Sequence, residues 1–377
     1  MRSHFDVIII GGGIAGASLA YFLGERGVAD VLLLERETQP GYHASGRSAA
    51  LLCEIDPIPL VQQLKVLGGA FLRRPPAGFS DTPLLDPTGI MLLFQGADGR
   101  APQGIAATME RMGVRAEVLE RAAVVERVPP LEAKELDGAL WLPDDGHIDV
   151  HALLWGYLRH AKRRGAVQQF GAEVLGVRVE GGRCVGVETN AGTFHGRWVV
   201  DAAGAWAGKV AALAQASPIA VVPHRRTIVT FAPPADLRVD RWPLVESDAH
   251  SLYFAPESGG LLLSPMDEEA MEPCDAHPAE EVIAAVMERL AVLAPRLVPR
   301  AIRHRWAGLR TFAPDRVPVV GEDPRRPGFF WLAGQGGFGI ESSGIIGAIA
   351  ADLIVDGKTA RFDASALAPG RFGEGHQ

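Results

Sequence analysis

Cysteine is scarce in this chain. Cys53, Cys184 and Cys274 are the three among 377 residues, and no C-x-x-C pair occurs. That argues against a disulfide framework and a cysteine zinc site, so no metal is expected, and it fits a reducing compartment. Positive charge is also in deficit. Lys and Arg number 37 against 45 Asp and Glu, for a net charge of −8. With no long basic run, no nucleic-acid partner is expected. Long apolar runs are missing too. Residues 345–355 are apolar but too short to span a bilayer, and Asp352 interrupts them. The apolar residues 7–10 run straight into glycines, so they read as a first strand rather than a leader. The expectation is a cytoplasmic protein with no transmembrane segment, free or peripheral to the inner face of a membrane. No internal repeat is visible.

What the chain does have is a nucleotide motif at its start. Asp6-Val7-Ile8-Ile9-Ile10 is an apolar, β-branched run of the kind found in buried parallel strands. It leads into Gly11-Gly12-Gly13-Ile14-Ala15-Gly16, which fits G-x-G-x-x-G through Gly11, Gly13 and Gly16. A helix suits the residues from Ala15 to Gly24. Val31-Leu32-Leu33-Leu34 then reads as a second strand, ending in Glu35. Strand, glycine turn, helix, strand and acid together predict a dinucleotide site. Glycines let backbone approach a pyrophosphate at the positive helix end, and Glu35 can accept hydrogen bonds from a ribose.

Further along, helices are expected over 57–75 (stripe Leu60, Leu64, Leu67, Phe71), 101–113, 121–127, 150–165 and 278–294. Strands are expected at 89–94 and, as a hairpin about Gly181-Gly182, over 168–192. Residues 218–231 and 243–265 alternate like antiparallel strands. Residues 306–316 read as irregular, and 317–321 and 329–333 as short strands. The tail after Phe362 is expected to be poorly ordered. His147, in a turn-rich stretch, reads as a hydrogen-bonded loop histidine rather than a ligand. The basic end of the 150–165 helix reads as a solvated helix terminus.

Two more small-residue turns stand before helices. One is Ala202-Ala203-Gly204-Ala205-Trp206, and the other is Gly334-Gln335-Gly336-Gly337-Phe338-Gly339-Ile340 before a helix from about Glu341 to Asp356. Three backbone-approach segments imply a long cofactor gripped along its length, which favours FAD over NAD.

With those segments in place, the chain resembles the family of FAD-dependent D-amino-acid oxidases, glycine and sarcosine oxidases and D-amino-acid dehydrogenases. Further marks are Gly46-Arg47-Ser48-Ala49-Ala50 and Asp145-Gly146-His147-Ile148-Asp149. Within that family its wording is nearest to the bacterial D-arginine dehydrogenases, through Gln39-Pro40-Gly41-Tyr42-His43, Trp306-Ala307-Gly308-Leu309-Arg310 and Gln335-Gly336-Gly337.

The resemblance implies an α/β (α+β overall) fold: a Rossmann-like FAD-binding domain with a discontinuous, mainly antiparallel β-sheet substrate domain. The implied FAD domain takes residues 1–85, 150–215 and 305–377, and the implied substrate domain takes 86–149 and 216–304. The cofactor set it implies is Gly11, Gly13, Ile14, Ala15, Gly16, Glu35, Arg36, Ser45, Arg47, Ser48, Ala49, Ala50, Val174, Ala202, Ala203, Gly204, Trp206, Gly308, Gly336, Gly337, Phe338, Gly339, Ile340 and Glu341. Relatives with covalent flavin carry a cysteine at about the Gly308 position; none of the three cysteines is near it in sequence, so non-covalent FAD is expected.

Arg226 and Arg310 match the positions of two arginines that hold a substrate carboxylate in the resembled enzymes, and Tyr253 matches a pocket tyrosine. A guanidinium fork meets a carboxylate bidentately and keeps its charge when buried. The pocket positions implied are Leu51, Cys53, Asp56, Ile90, Leu244, Glu246 and Gly337. Here the sequence departs from the resemblance. Ile90 stands where a guanidinium-binding carboxylate is expected, Leu51 in place of a histidine, and Glu246 in place of an apolar residue. A neutral side chain is therefore expected to fit better than arginine, unless Asp56 or Glu246 supplies the missing acid.

The implied reaction is oxidation of the Cα–N bond of a D-amino acid or related amine, by hydride transfer to flavin N5, giving an imino acid. No residue stands out as a base; solvent, Glu341 and His43 are the candidates. The electron acceptor (oxygen, quinone or electron carrier) is left open. Other readings are a glycine/sarcosine-type oxidase, a flavin subunit of a hetero-oligomeric amine dehydrogenase, an RNA-modifying relative, which the charge disfavours, and a non-catalytic FAD-binding module.

Overall fold

A computed structural model of the chain describes residues 2–95 and 102–373. The opening motif folds as its residues dictate. His4–Ile10 is the central strand of an eight-stranded sheet, parallel to Val31–Glu35 on one side and to Gly192–Asp201 on the other. Val167–Phe170 extends one edge in parallel. At the other, Val174–Glu180 and Arg183–Thr189 form the hairpin expected at Gly181-Gly182. Phe329–Ala333 pairs in parallel with the far end of Gly192–Asp201, and Val319–Glu322 pairs with Phe329–Ala333. The strands are apolar on both faces because both are covered. The helices Ile14–Glu25, Val150–Arg163 and Ser343–Asp356 pack on one face, and Ala207–Ala214 packs on the other.

The second layer is a nine-stranded sheet. In spatial order its strands are Gln335–Gly336, Ile302–Phe312, Val222–Phe231, Gly260–Ser264, Leu252–Glu257, Leu244–Ser247, Ile90–Phe94, Gly138–Leu142 and Glu117–Glu120. All these pairings are antiparallel except that of Leu244–Ser247 with Ile90–Phe94. Glu280–Leu293 covers one face through Ile283, Val286, Leu290 and Leu293. A three-stranded sheet of Leu51–Leu52, Gly146–Ile148 and Leu85–Asp86 stands beside it. There His147 bonds Thr88 Oγ1 and the Pro256 carbonyl, each at 3.0 Å.

Three local expectations need correction. The stretch taken as irregular at 306–316 is mostly strand: Ile302–Phe312 pairs along nearly its whole length with Val222–Phe231. Its pattern looked irregular because one face carries Trp306, Gly308 and Arg310, which serve a site rather than a core. In the helix Pro59–Arg73 the buried face is Val61, Leu64, Lys65, Gly68 and Leu72, whereas Leu67 is exposed. The tail is anchored past Phe362, since Leu367 and Phe372 are buried; its last residues, 374–377, lie outside the described residues. So does residue 101, the start of the helix expected over 101–113, which is seen from Pro102 to Arg111.

Candidate active site

The glycine turn makes an anion cradle. Gly11 holds φ +115°, and a Cβ there would lie 2.3 Å from the Ala202 carbonyl, so only glycine fits. At Gly16 a Cβ would meet the Gly11 carbonyl at 2.0 Å. This glycine seats the helix on the strand and is not on the cavity wall. Gly13 differs: a Cβ would meet only Ser45 Oγ, at 3.3 Å, and the space beyond is open. The helix Ile14–Glu25 has no side-chain N-cap and no acid in its first turn. Its first amide, Ile14 N, donates to Ser45 Oγ at 2.9 Å. An uncapped positive helix end beside an open glycine suits a phosphate. Glu35 is fixed from two sides, accepting from Gly12 N at 2.8 Å and Glu37 N at 2.9 Å.

These groups open into one elongated cavity of about 390 Å³. At one end lie Glu35, Arg36, Val174 and Trp206, with the Arg36 guanidinium 4.3 Å from the Trp206 ring. His43 also lies there, bonded to Glu37 Oε1 at 2.9 Å. Gly11, Gly13, Ile14, Ala15, Ser45, Arg47, Ser48 and Ala49 line the middle with Ala202, Ala203 and Gly204. At the other end are Gly308, Gly336, Gly337, Gly339, Ile340, Arg226 and Arg310. Of the expected cofactor residues, Gly16, Ala50, Phe338 and Glu341 do not line this cavity. Arg47 ties the middle of the wall to the second sheet, reaching Asp275 at 2.5 Å and the carbonyls of Ala276 and Ala307. The cradle, the uncapped helix and the clasped Glu35 fit FAD, which these residues would hold.

The two arginines meet through strand register. In the pairing of Val222–Phe231 with Ile302–Phe312, Arg226 lies opposite Gly308 and His224 opposite Arg310. Arg226 and Arg310 are therefore diagonal neighbours on one sheet face. A Cβ on Gly308 would meet Arg47 at 3.4 Å, and one on Gly337 would come within 2.9 Å of the Arg310 guanidinium. Burial, then the charge of Arg310, pulls the Arg226 pKa down to about 10. Two like charges sit together with no acid in contact among the described residues. Arg226 Nε, the Tyr253 hydroxyl and Gln335 Nε2 are buried without a hydrogen-bond partner among the described residues. Such groups are costly unless something binds them.

The same face runs on across the sheet. Tyr253 pairs with Ser264 on one side and Glu246 on the other; Leu244 pairs with Ile90, and Ile90 with Leu142. Ile90, Leu244 and Tyr253 share one apolar cluster with Leu51 and Cys53. Leu51, Cys53, Ile90 and Leu244 are thus neighbours, and of the expected pocket residues only Gly337 is on the long cavity's wall. Asp56 is spoken for: its carboxylate accepts from Ile58 N at 3.0 Å and from Lys65 Nζ at 3.3 Å. Glu341 also turns to Lys65, at 3.5 Å, and accepts from Cys53 N at 2.8 Å. Burial disfavours the Lys65 charge, but Glu341 and Asp56 outweigh it and raise its pKa. Two carboxylates share one ammonium, and burial lifts Glu341 to about 7.

Two residues of this region were not anticipated. Lys65 occupies the i+4 position of an apolar stripe begun at Val61, and a lysine there was a readable sign of a buried ion pair. Cys274 lines the cavity beside Ala276, although it is distant in sequence from every glycine turn; no local pattern pointed to it.

Residues 6–353 match the family model described as DAO: FAD dependent oxidoreductase. Among curated proteins, the chain is similar to the hydrogen cyanide synthase subunit HcnC of Pseudomonas aeruginosa, at 27% identity over 99% of this chain and 97% of that one. It is also similar to a glycine oxidase of Geobacillus kaustophilus, at 28% identity over 98% of this chain and 97% of that one. Among solved structures, an L-proline dehydrogenase from P. horikoshii superposes with a TM-score of 0.87 at 23% identity, covering 99% of this chain and 98% of that one, a likeness of fold. Among the described residues no helix is long and apolar enough to cross a membrane.

Proposed function

The chain belongs to the family of FAD-dependent oxidoreductases, and from that premise we propose that it oxidises the Cα–N bond of an amino acid held by Arg226 and Arg310. The observation that carries this reading is the pair of guanidiniums on one sheet face at the cavity end, with Arg226 Nε buried and unpartnered. Among the described residues neither arginine has a carboxylate in contact, so an anion from outside fits their fork geometry. That anion is the substrate's α-carboxylate, and the Tyr253 hydroxyl contacts the substrate beside it.

FAD, when bound, supplies the two-electron oxidation by accepting hydride from the carbon that bears the nitrogen. The protein's share is orientation. Arg226 and Arg310 fix the carboxylate, Gly308 and Gly337 leave the room it needs, and the Gln335–Ile340 turn faces the same space. The expected FAD attachment is non-covalent, and the expected compartment is the cytoplasm.

Within that reading the substrate is a neutral D-amino acid or cyclic imino acid. Ile90, Leu244 and Leu51 make an apolar wall, and Asp56 is already paired with Lys65. An apolar wall gains about 25 cal/mol per Å² of buried substrate surface and penalises a charge left unpaired. Anaerobic bleaching of the yellow protein by D- and L-amino acids, imino acids and N-methylated amines is the test. D-methionine should exceed D-arginine at least about tenfold in kcat/KM, a margin that about 1.4 kcal/mol provides. Bleaching by L-amino acids or N-methylglycine alone would replace the D-amino-acid reading with a glycine/sarcosine-type one.

The likeness to a hydrogen cyanide synthase subunit supports a second reading, a flavin subunit working with partner chains. Co-purification of the untagged protein from its native host, with activity present only in the complex, would favour it.

A further inference from the structure

Glu246 is a carboxylate on the substrate-facing side that the proposed reaction leaves unused. It sits on Leu244–Ser247, cross-strand partner of Tyr253 and parallel neighbour of Leu92. Alternation along those strands puts it on the face that carries Arg226, Arg310 and Tyr253. It is half-buried and makes no hydrogen bond and no ion pair among the described residues. The arginines are near enough to act on it electrostatically, yet not in contact with it. Tyr253, with its hydroxyl unpartnered, stands between. The face therefore offers two cations at one end, a neutral hydroxyl in the middle and a carboxylate at the other. That is the charge pattern of a zwitterion in reverse.

We propose that Glu246 receives the substrate's nitrogen: its carboxylate pairs with the ammonium and takes its proton. The proton passes from nitrogen to a Glu246 oxygen. The lone pair so freed forms the C=N bond as Cα gives up its hydride, FAD being the oxidant of the family's chemistry. The product leaves as the imino acid, and Glu246 returns its proton to water. Glu246 thereby acts as a catalytic residue, and the substrates it selects are amino acids with a free or alkylated amino group, not simple carboxylates. This rests on the clamp reading of Arg226 and Arg310.

The surroundings suit a proton acceptor. Burial first, and then Asp248 just past the end of its strand, raise the Glu246 pKa. Lys65 from the helix Pro59–Arg73, with Arg310 and Arg226 from the two long strands, pull the other way. Cys53 and the Tyr253 phenol complete the groups around it. Among these, only the arginines and Lys65 carry positive charge. Lys65 is held by Asp56 and Glu341, and the arginines are reserved for the carboxylate.

The experiment compares two ligands of one shape in the FAD-loaded protein: D-leucine and 4-methylpentanoate, which lacks the amino group. D-leucine binding is read from the concentration dependence of anaerobic flavin reduction, and 4-methylpentanoate binding from the shift in the flavin spectrum. Glu246→Gln should weaken D-leucine at least about tenfold and leave 4-methylpentanoate unchanged or tighter, because a repelling carboxylate is gone. Equal effects on both ligands, or none on D-leucine, overturn the proposal. An effect on D-arginine but not D-leucine also overturns it, and makes Glu246 a side-chain clamp. Arg310→Met separates the two readings: it should weaken both ligands, and weakening neither would sink the clamp while the ratio between ligands still judges Glu246.

Discussion

The cofactor end and the substrate end of this molecule are built by different means. Around the nucleotide cradle the working groups are mostly backbone: an open Gly13, the uncapped helix at Ile14, and Glu35 clasped by two amides. Each lies within a short run of chain, and its geometry follows from local turns. Around Arg226 the working groups are side chains from strands far apart in the chain, brought together by register. At the first end the charges are already paired, Arg36 with Glu37 and Arg47 with Asp275. The second gathers Arg226, Arg310 and Lys65 with Glu246, Glu341 and Asp56 in a largely apolar setting. A site made of backbone tolerates little change in shape, and one made of opposed charges tolerates little change in balance.

The sharpest way to break this contrast is at the cradle. Gly13→Val should give a folded protein that has lost FAD and all turnover, because the added methyls enter the phosphate space and meet no wall but Ser45. A colourless protein that melts like the wild type stripped of FAD is the expected result, and retained flavin would place the pyrophosphate elsewhere.

Next in size is the clamp. Arg310→Met should keep FAD and lower kcat/KM by ~30- to 4000-fold, since a desolvated carboxylate–guanidinium pair is worth roughly 2–5 kcal/mol. Unchanged kinetics in both the Arg226 and Arg310 variants would move the substrate carboxylate away from this face.

The buried charges also make the substrate end sensitive to pH. Glu341 titrates at about 7 when folded, above its ordinary 4.5. The folded state therefore binds its proton more tightly than the unfolded state does. Its contribution is complete below pH 4.5 and is lost as pH rises to about 7, amounting to up to about 3 kcal/mol. Denaturant melts at pH 5 and pH 8 should show that loss in the wild type, and Glu341→Gln should reduce it, leaving the part due to Asp201, which burial lifts to about 8. An equal loss in the variant would assign the effect to other groups.

Tyr253→Phe should have the smallest effect. The hydroxyl is buried and unpartnered in the free protein, so its removal costs the fold nothing, and the melting temperature should hold or rise. The catalytic loss should be about 5- to 10-fold, one ordinary hydrogen bond of roughly 1 kcal/mol. A loss as large as that of Arg310→Met would make the phenol part of the proton path.

The same division explains what could be read early. The strand–glycine–helix–strand–acid unit was legible because each part has its own local signature, and the glycines at Gly204 and Gly336 pointed to the same cavity. The strand Ile302–Phe312 was hidden because its cavity face is spaced for function, with Gly308 and Arg310 where a core strand would carry apolar residues. The tail was misjudged because Leu367 and Phe372 bury against distant elements rather than near neighbours. Lys65 went unremarked, although its helical spacing put it on the buried stripe.

By itself, then, the sequence determined a dinucleotide cradle and a long cofactor, since turns, helix ends and strand hydrophobicity are set by residues next to one another. Which charges face one another was decided only in the folded protein. Strand side chains alternate, so a one-residue shift in pairing would turn Arg226, Arg310 or Glu246 to the opposite face. That register is fixed by strands whose partners lie scores of residues away. No local pattern states that Arg226 sits beside Arg310, that Asp56 and Glu341 share Lys65, or that Glu246 is left without a partner.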